Sequence, residues 1–377
     1  MKRITVAVTN DLTTDQRVDR TCRALADDGW TVTLVGRRLH GSPALGPRPY
    51  TTRRLRLLFR RSVLFYAEYN LRLFLLLLLG REDCILSNDT DTLAARLRRK
   101  PLAFDAHELF PDVPELQGRP RVQAVWRQVE RCCLPHVGQA FTVCQSVADI
   151  YRRRYGVDMT VVRNVPDRQP SAPRPGLAAT PPYTLLYQGA VNVGRGITEL
   201  VDVLQFLPDC RLVVAGDGDC LAAEQRHAAS LPWHDRVQFL GRVQPQQLHT
   251  LTTQADLGLC LLQDLGLNYR FSLPNRIADF ANAGVPILAT SFPEIRRILI
   301  RYGTGTLTEP LPPDHQGDPY TRYLERLARD IRAALDLWRT MPHHERTRLF
   351  ARAGEELNWQ REKHLLTTAL DQLISQQ

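Results

Sequence analysis

The sequence predicts an α/β protein with two Rossmann-like domains that face a central cleft. Three observations lead to this prediction: a chain of 377 residues that is 44% hydrophobic, two series of alternating strand-like and helix-like segments, and a Pro- and Ala-rich stretch between them. A chain of this length is long for a single hydrophobic core. Two domains are therefore the default expectation.

The first series alternates short β-branched runs with amphipathic stretches. A strand at ITVAV is followed by a helix over about residues 15–28, and the later strand-like runs are WTVTLV, DCILS, PLAFDA, QAFTV and MTVV. Strands that alternate with helices indicate a parallel sheet with helices on its faces. We expect this domain over residues 1–166.

The domain boundary is predicted at RQPSAPRPGLAATPP, residues 168–182, which has no apolar period. The second series then runs through TLLYQG, RLVVAGDGD, RVQFLG, DLGLCLL, VPILAT and GTGTL, which places a second domain over residues 167–350. The tail is helical by composition from about residue 318, with a break at Pro342, and residues 351–377 form a separate C-terminal helical segment.

Cysteine usage and the N-terminus predict a cytoplasmic protein. The eight cysteines include no CxxC pair, which favours reduced thiols over a disulfide framework. The opening MKRITVAVTN is typical of a buried strand and lacks the pattern of a signal peptide. The longest apolar run, residues 73–80, is shorter than the roughly 20 residues that span a bilayer.

The formal charge of 49 − 40 = +9 is compatible with nucleic acid, an anionic membrane or a phosphorylated substrate. Residues 53–81 interleave arginines with Leu, Phe and Tyr, which suits an anionic membrane surface or a lipid-phosphate acceptor. An equal alternative is a buried helix on the first sheet with a basic outer face. No nucleic-acid motif appears, so no nucleic-acid partner is expected.

Two stretches suggest anion binding. In YQGAVNVGRGITELVDVL a strand ends at Gly189 and Arg195 opens a helix, an arrangement that suits a diphosphate, although an ordinary loop with a solvated arginine gives the same pattern. In FSLPNRIADFANAGVPI we expect Ser272 to cap a helix with Pro274 in its first turn and Arg276 one turn in.

The sequence resembles the family 4 glycosyltransferases, which have the two-domain GT-B fold. The resemblance covers almost the whole chain and rests on TNDLTTDQRVDRTCRALADDGWTVTLV, SNDTDTL, FDAHELFPDVPEL, YQGAVNVGRGITELV, VVAGDGD, VQFLGRV and the SLPN stretch. It implies a retaining, nucleotide-sugar-dependent enzyme. It also implies that the final helix, around LNWQREKHLL, crosses back onto the N-terminal domain with Trp359 as an anchor.

The resemblance assigns donor-binding roles in the second domain. Arg195 would grip the donor diphosphate, and Gly189 would let the backbone approach it. The family has two acidic residues at the later helix. The second falls on Asp279 and would contact the ribose, but the first falls at 279 − 8 = 271, which is Phe271.

Because the first acidic residue is replaced, recognition of the donor sugar is expected to shift to neighbouring groups. The candidates are Asn268, Tyr269 and the backbone amides of Ser272 and Leu273. The identity of the donor sugar therefore stays open.

In the first domain, DAHELF places His107 and Glu108 at the carboxyl edge of the sheet, where ligands bind in doubly wound folds. The resemblance implies that His107 lines the donor sugar, and a purely structural histidine is the alternative. Further acceptor-side or interdomain candidates follow the first strand. They are Thr13, Thr14, Asp15 and Arg17.

The chemistry that the resemblance implies needs no cofactor and no metal, because the leaving diphosphate can take the acceptor proton while Arg195 and Arg276 stabilise its charge. We interpret the DxD string 89–91 as part of a helix cap by Asn88 and Asp89, and the string 217–219 as a turn. A third glycine for a dinucleotide fingerprint is missing, so NAD is not expected.

Together these features predict transfer of a hexose from a UDP- or GDP-sugar to a glycan or lipid-linked saccharide in cell-envelope polysaccharide synthesis. A peripheral position at the inner face of the plasma membrane, through residues 53–81, is compatible with this function. Two alternatives remain open at this point. One is a nucleotide-sugar epimerase, and the other, prompted by Phe271, is a catalytically impaired nucleotide-sugar-binding protein.

Overall fold

The structure is a computed structural model that describes residues 2–13, 15–168, 178, 180–312 and 317–375. The chain divides into two compact units. Unit 1 consists of Met1–Asn164 together with Arg361–Gln377, and unit 2 consists of Val165–Gln360. Thr14 and most of the predicted linker lie outside the described residues.

Unit 1 contains a seven-stranded parallel sheet with the order β3-β2-β1-β4-β5-β6-β7. Its strands are β1 (Arg3–Asp11), β2 (Thr31–Arg37), β3 (Thr51–Leu55), β4 (Cys84–Asn88), β5 (Leu102–Ala106), β6 (Gln139–Thr142) and β7 (Thr160–Val161). Its first four α-helices are α1 (Gln16–Asp27), α2 (Ser62–Leu79), α3 (Pro120–Cys133) and α4 (Gln145–Tyr155). Short 3₁₀ helices cover Thr90–Arg98, Phe110–Asp112, Pro114–Leu116 and Leu134–His136.

The predicted strands and first helix are confirmed, and their sequences explain why they form. Every residue of β4 and β5 is buried, as expected for central strands covered on both faces. Helix α1 buries Val18, Cys22 and Leu25 on one face, and the Asp15 carboxylate caps it by accepting from the Val18 amide. Strand β3 was not predicted, because TTRRL is a polar edge strand without apolar alternation.

Unit 2 contains a six-stranded parallel sheet with the order β10-β9-β8-β11-β12-β13. Its strands are β8 (Tyr183–Gln188), β9 (Cys210–Ala215), β10 (Val237–Gly241), β11 (Leu257–Cys260), β12 (Ile287–Thr290) and β13 (Gly305–Thr308). Its helices are α5 (Ile197–Asp202), α6 (Leu221–Ala229), α7 (Pro245–Thr253), α8 (Leu267–Phe271), α9 (Arg276–Asn282), α10 (Pro293–Tyr302), α11 (Asp318–Thr340) and α12 (His343–Glu356), with 3₁₀ turns at Val203–Phe206 and His234–Arg236.

The core of unit 2 lies on both faces of its sheet. In β8, Leu185 and Tyr187 belong to one hydrophobic cluster and Leu186 belongs to the other, as the two-residue period of a strand requires. Helices therefore cover both faces, and the predicted fold class of two Rossmann-like α/β domains is confirmed for each unit.

The last helix, α13 (Trp359–Ser375), confirms the predicted return to the N-terminal domain, since its residues from Arg361 onward are part of unit 1. Glu362 is buried and pairs with Arg163 at 2.6 Å. Near the end of the helix, Asp371 pairs with Lys2 at 2.7 Å. Trp359, which begins the helix, is buried.

Helix α2 accounts for most of the arginine- and leucine-rich segment. Phe65, Tyr69, Leu73 and Leu77 form its buried stripe, and the Tyr69 hydroxyl donates to the Val8 carbonyl at 2.8 Å. The alternative of a helix with a basic outer face is wrong in that respect, because the outer face of α2 is mostly apolar. Within the described ranges, α2 is the one helix that is long and apolar enough to cross a membrane, a test that core helices also pass.

Candidate functional site

The first part of the site lies at the carboxyl edge of the sheet in unit 2. The chain proceeds from β8 outward to β9 and β10, and then returns to β11 on the other side of β8. The loops that follow β8 and β11 therefore diverge. The place where the strand order reverses in this way is the topological switch point of the sheet, and open α/β sheets bind their ligands there.

The loops after β8 and β9 lie directly against each other because they carry glycines. A Cβ atom on Gly216 would lie 1.7 Å from the carbonyl oxygen of Gly189, so no other residue fits there without a shift of the backbone. Gly189 itself has a φ of +132°, and its amide donates to the Ala215 carbonyl at 3.0 Å. The backbone at the end of β8 therefore carries no side chain at Gly189 and packs directly against the backbone of the loop after β9.

Arg276 lies across this bare backbone. A Cβ atom on Gly189 would lie 3.1 Å from Arg276 Nη2, and the guanidinium carbon is 4.3 Å from the ring centroid of Tyr187. Arg276 is only 6% exposed, and its Nη1 atom has no hydrogen-bond partner among the described residues. A buried cation with an unused donor is suited to an anionic ligand.

Arg195 occupies the loop between β8 and α5. Its guanidinium carbon is 4.7 Å from the ring centroid of Tyr269, and its buried Nε atom lacks a hydrogen-bond partner within the described part of the chain. The Tyr269 hydroxyl donates to the Val193 carbonyl at 3.0 Å, so this ring is fixed beneath the guanidinium. Tyr269, predicted as a sugar contact, thus positions Arg195.

Both arginines act on a thiol at the carboxyl edge of the sheet in unit 2. Burial raises the pKa of the Cys260 thiol at the end of β11, while Arg276 and Arg195 both act to lower it. Both guanidinium groups are therefore near the carboxyl end of β11, the strand that neighbours β8. Tyr187 and Cys260 were missed in the sequence, although Tyr187 stands two residues before Gly189 in the quoted stretch.

Asp279 is held next to the end of β8. Its carboxylate accepts a hydrogen bond from the side-chain NH₂ of Gln188 at 3.3 Å. The side-chain oxygen of Gln188, Oε1, accepts one from the Thr252 hydroxyl at 2.8 Å. Asp279 is half-buried, and its charge acts on Arg276. Sequence reasoning missed Gln188 and Thr252, because their contacts join residues that are 64 and 91 positions apart.

The predicted helix start before Arg276 is wrong in detail. The hydroxyl and the amide of Ser272 both donate to the Tyr269 carbonyl, at 3.0 and 3.3 Å, so Ser272 ends α8. Helix α9 begins at Arg276, two residues after Pro274, and its N-cap residue makes no side-chain capping bond. The sharp turn between two short helices overrides the capping pattern that the sequence suggested.

The remaining predicted donor residues lie in or next to α8. Asn268 is buried, Leu273 packs against the hydrophobic cluster of β12, and Phe271 is the last residue of α8. Gly284 follows α9 with a φ of +69°, a left-handed conformation that glycine commonly adopts where a helix ends.

A second polar cluster lies at the carboxyl ends of β4 and β5 in unit 1, next to the switch point between β1 and β4. The His107 Nε2 atom is 3.2 Å from Asp105 Oδ2 and from Asn88 Oδ1, and the Nδ1 atom is 3.4 Å from Asp89 Oδ2. Burial lowers the pKa of His107, but the carboxylates of Asp89 and Asp105 outweigh burial and raise it to about 9. At neutral pH, His107 is therefore an imidazolium.

Arg17, predicted as an acceptor-side or interdomain residue, is used inside unit 1. Its guanidinium forms two hydrogen bonds to Asp105, at 2.7 and 3.1 Å, and a third to the Val162 carbonyl at 3.0 Å. Both members of this ion pair are nearly inaccessible, at 5% and 0% exposure. We therefore assign Arg17 a structural role.

The other candidates of unit 1 are distributed as follows. Asp15 caps α1 and accepts from the Asn10 side chain, and the Thr13 amide donates to Asp11. Glu108 is exposed beside His107. Thr14 lies outside the described residues.

The two DxD strings have different surroundings. Asp89 does not cap a helix as predicted; its φ is +58° and its carboxylate accepts from the His107 amide at 2.9 Å. Asp217 forms the predicted turn, in which the Gly218 amide donates to its carboxylate at 2.8 Å. In the described parts of the chain, no group of three or more His, Cys, Asp or Glu is arranged to hold a metal ion.

Asp91 gives a test of the electrostatics in this cluster. Burial raises its pKa from 3.8 to about 7, and the Asp89 carboxylate adds to the rise. The folded state therefore keeps a proton that the unfolded chain releases, and the free energy of unfolding falls as pH rises from about 4 to about 7. We expect the free energy of unfolding of Asp91→Asn not to fall over this pH range. The difference in unfolding free energy between the variant and wild type should therefore shift in favour of the variant by on the order of 4 kcal/mol between about pH 4 and about pH 7.

Urea unfolding between acidic and mildly alkaline pH, followed by hydrogen exchange in peptides of unit 1, measures this effect. Asp27→Asn, which alters an exposed carboxylate at the end of α1, is the control. If the free energy of unfolding changes with pH in the same way in wild type and in Asp91→Asn, Asp91 does not have the raised pKa.

The fold and the arginine site define a class of protein. Two parallel sheets of doubly wound type, one in each unit, are the architecture of the GT-B fold, and the half-buried Arg195 and the buried Arg276 lie at the carboxyl edge of the second sheet. Two domain families match the chain in succession: Glycosyltransferase Family 4 over residues 15–169 and Glycosyl transferases group 1 over residues 169–330. The chain belongs to the glycosyltransferases that combine these two domains, and it is an enzyme.

Solved structures agree with this fold. Sucrose-phosphate synthase from Thermosynechococcus elongatus has a TM-score of 0.78 at 18% identity, with full coverage of both chains. Anabaena Alr3699/HepE in complex with UDP and glucose has a TM-score of 0.70 at 15% identity, covering 98% of this chain and 100% of that one. The lipopolysaccharide outer core galactosyltransferase WaaB has a TM-score of 0.66 at 14% identity and 99% coverage of both. None of the curated proteins matches the sequence.

Proposed function

We propose that this glycosyltransferase moves a hexose from a UDP- or GDP-sugar, with retention at the anomeric carbon, to a glycan or lipid-linked saccharide in cell-envelope polysaccharide synthesis. The observation that supports the donor is the pair Arg195 and Arg276. Each is stacked on a tyrosine, and each keeps a buried nitrogen without a partner among the described residues. Two cations, one of them beside the Gly189 backbone, match the charge of a diphosphate.

The donor would lie along the end of β8. Its diphosphate would contact the two arginines at Gly189, and Asp279 would accept from the ribose hydroxyls. The sugar would then lie near Asn268 and Phe271. Anabaena HepE, which has the same fold, is described in complex with UDP-glucose, and this supports a nucleotide sugar as the donor.

In the transfer step, the bond between the anomeric carbon and the diphosphate oxygen breaks, and a bond to the acceptor oxygen forms on the same face. The leaving diphosphate takes the acceptor proton. Arg195 and Arg276 stabilise the negative charge that develops, and rigid cations in a partly dry site are effective at this. We propose that this arrangement needs neither a cofactor nor a metal ion.

In the N-terminal domain, we propose His107 and Glu108 as ligand contacts. His107 is positively charged at neutral pH and its ring nitrogens already face Asp89 and Asp105. It would therefore act on a ligand through its positive charge, and not as a general base. All the cysteines are free, which supports a reducing compartment, so we place the activity in the cytoplasm.

A panel of UDP- and GDP-hexoses tests this proposal, with the anomeric configuration of the product determined by NMR. We expect turnover of one donor with retention. Arg195→Ala should lower kcat/KM about 100-fold, because it removes a group that acts in the transition state. Asp279→Ala should mainly raise KM, by about tenfold, because it removes a ground-state contact to the ribose.

The control is Arg242→Ala, which removes an exposed arginine of the same unit. Unchanged turnover in both Arg195→Ala and Asp279→Ala would refute the donor site. Formation of an epimeric nucleotide sugar without any acceptor would replace transfer by epimerisation.

A further inference from the structure

The outer face of helix α2 carries a continuous apolar row. Leu71, Leu75 and Leu78 are 59%, 52% and 47% exposed, and Leu64 precedes them on the same face. At 3.6 residues per turn, this row lies opposite the buried stripe of the helix. The apolar row therefore takes no part in the packing of α2 on its own sheet.

The segment before α2 extends this apolar surface. Leu58 and Phe59 are exposed, and their backbone amides donate to the Glu68 carboxylate of α2 at 2.8 to 3.0 Å. Glu68 also pairs with Arg72 at 2.8 Å. The carboxylate thus fixes two further apolar side chains beside the helix.

A basic pocket adjoins the N-terminal end of α2, with a volume of about 480 Å³. No acidic residue lines it, and its basic residues are Arg37, Arg38, His40, Arg56 and Arg60. Within the described ranges, none of these arginines forms an ion pair.

Arg37 lines this pocket, and its surroundings indicate that the pocket could hold a ligand. Its guanidinium carbon is 4.9 Å from the ring centroid of Phe65, and its buried Nε atom has no hydrogen-bond partner among the described residues. Four guanidinium groups that repel one another in one pocket are stabilised only by an anion or by solvent. A group with several acceptor oxygens, such as a phosphate, fits this donor set.

We propose that this face of the N-terminal domain docks on an anionic lipid bilayer, with the leucine row of α2 in the interface and a lipid phosphate in the basic pocket. Arginines mark both ends of the row, Arg61 before the helix and Arg81 after it, and both are exposed. A bilayer offers apolar chains beside negative phosphates, which matches both parts of the surface. A second copy of this face would instead bring like charges together.

This inference goes beyond the proposed transfer reaction, and the vesicle-binding measurement that tests it needs neither donor nor acceptor. The full chain is sedimented with vesicles of phosphatidylcholine alone, or of phosphatidylcholine mixed with phosphatidylglycerol. We expect binding to the anionic vesicles only. It should weaken when NaCl is raised from about 0.1 M to about 1 M, since the Debye length falls from about 10 Å to about 3 Å.

Two double variants separate the parts of the surface. Arg56→Ala/Arg60→Ala should weaken binding to anionic vesicles about 25-fold, at about fivefold per arginine near the surface. Leu71→Ser/Leu75→Ser should weaken it by at least about tenfold, because apolar burial is lost. The matched control, Arg226→Ala/Ile300→Ser, changes exposed residues of unit 2 and should bind like wild type.

Thermal unfolding and nucleotide-sugar turnover in solution should stay at wild-type levels in all three double variants, which shows that a loss of vesicle binding is not a loss of fold or of donor site. Equal binding to neutral and anionic vesicles, or unchanged binding in both surface variants, would overturn the proposal. A wild-type dimer that Leu71→Ser/Leu75→Ser converts to a monomer would assign this face to a second copy of the chain, and would overturn it as well.

Discussion

Replacing Arg276 by alanine is expected to lower kcat/KM for the nucleotide-sugar donor by about 100- to 1,000-fold, because a preorganised cation at a developing charge contributes on this scale. The same change should leave thermal stability unchanged or raise it. Arg276 is buried with an unused donor atom, and such a charge costs free energy until a ligand pairs with it. Loss of activity without loss of stability is the signature of a ligand-binding arginine.

The contribution of Arg276 to ligand binding can also be measured from the stabilisation that a bound ligand gives to the enzyme. A nucleoside diphosphate should raise the melting temperature of the wild-type enzyme and do so far less in Arg276→Ala. Arg276→Lys keeps the charge but loses the planar fork that covers Gly189, so only part of the activity should return. Arg270→Ala, which removes an exposed arginine paired with Asp264, is the matched control. Wild-type turnover in Arg276→Ala would show that the diphosphate binds elsewhere.

Asp105→Ala is expected to destabilise the N-terminal domain by about 3–5 kcal/mol, because it leaves the buried Arg17 guanidinium without its partner and removes one of the two carboxylates beside His107. Arg17 donates two hydrogen bonds to this carboxylate, and His107 lies 3.2 Å from it. The exposed pair of Arg152 and Asp158 provides the control, and Asp158→Ala should cost less than about 1 kcal/mol.

The pH dependence of this loss has a defined sign. Burial raises the pKa of Asp105, but Arg17 and His107 outweigh burial and lower it below the ordinary value of 3.8. The stabilisation is therefore present above about pH 4 and is lost as pH falls below that value. The difference between wild type and Asp105→Ala should narrow in acid.

Urea unfolding of unit 1 at neutral and acidic pH measures the difference between the two proteins. Removing both charges in Arg17→Met/Asp105→Leu should cost less than the sum of the single changes, because no unpaired ion remains. If the loss of unfolding free energy in the double variant equals the sum of the losses in the two single variants, the two residues do not act as a pair.

Local patterns were sufficient to predict most elements of both sheets. The strands β4, β5 and β8 are short apolar runs that any parallel sheet must bury, and the helix start at Asp15 is set by a capping bond three residues away. Strand β3 was missed, because an edge strand needs only backbone pairing with β2 and leaves no apolar signature.

The candidate site was predicted less completely than the fold. Arg195 and Arg276 could be proposed from the sequence because each follows a strand end or a helix break, and their donor-binding roles stay predictions. Arg17 was interpreted as a ligand-side residue, because its partner Asp105 is 88 positions away in the chain. The same limit hid Gln188, whose contact to Asp279 joins distant segments.

The sequence alone determined the two-domain α/β architecture and the presence of arginines beside glycine-rich turns, since both follow from periodicity and residue type over short spans. Only the tertiary structure decided which arginines are already paired inside the protein and which keep a free donor. Pairing depends on distances between residues far apart in the chain. That is why Arg17 proved structural, Arg276 remained suited to a ligand, and the outer face of α2 proved to be apolar.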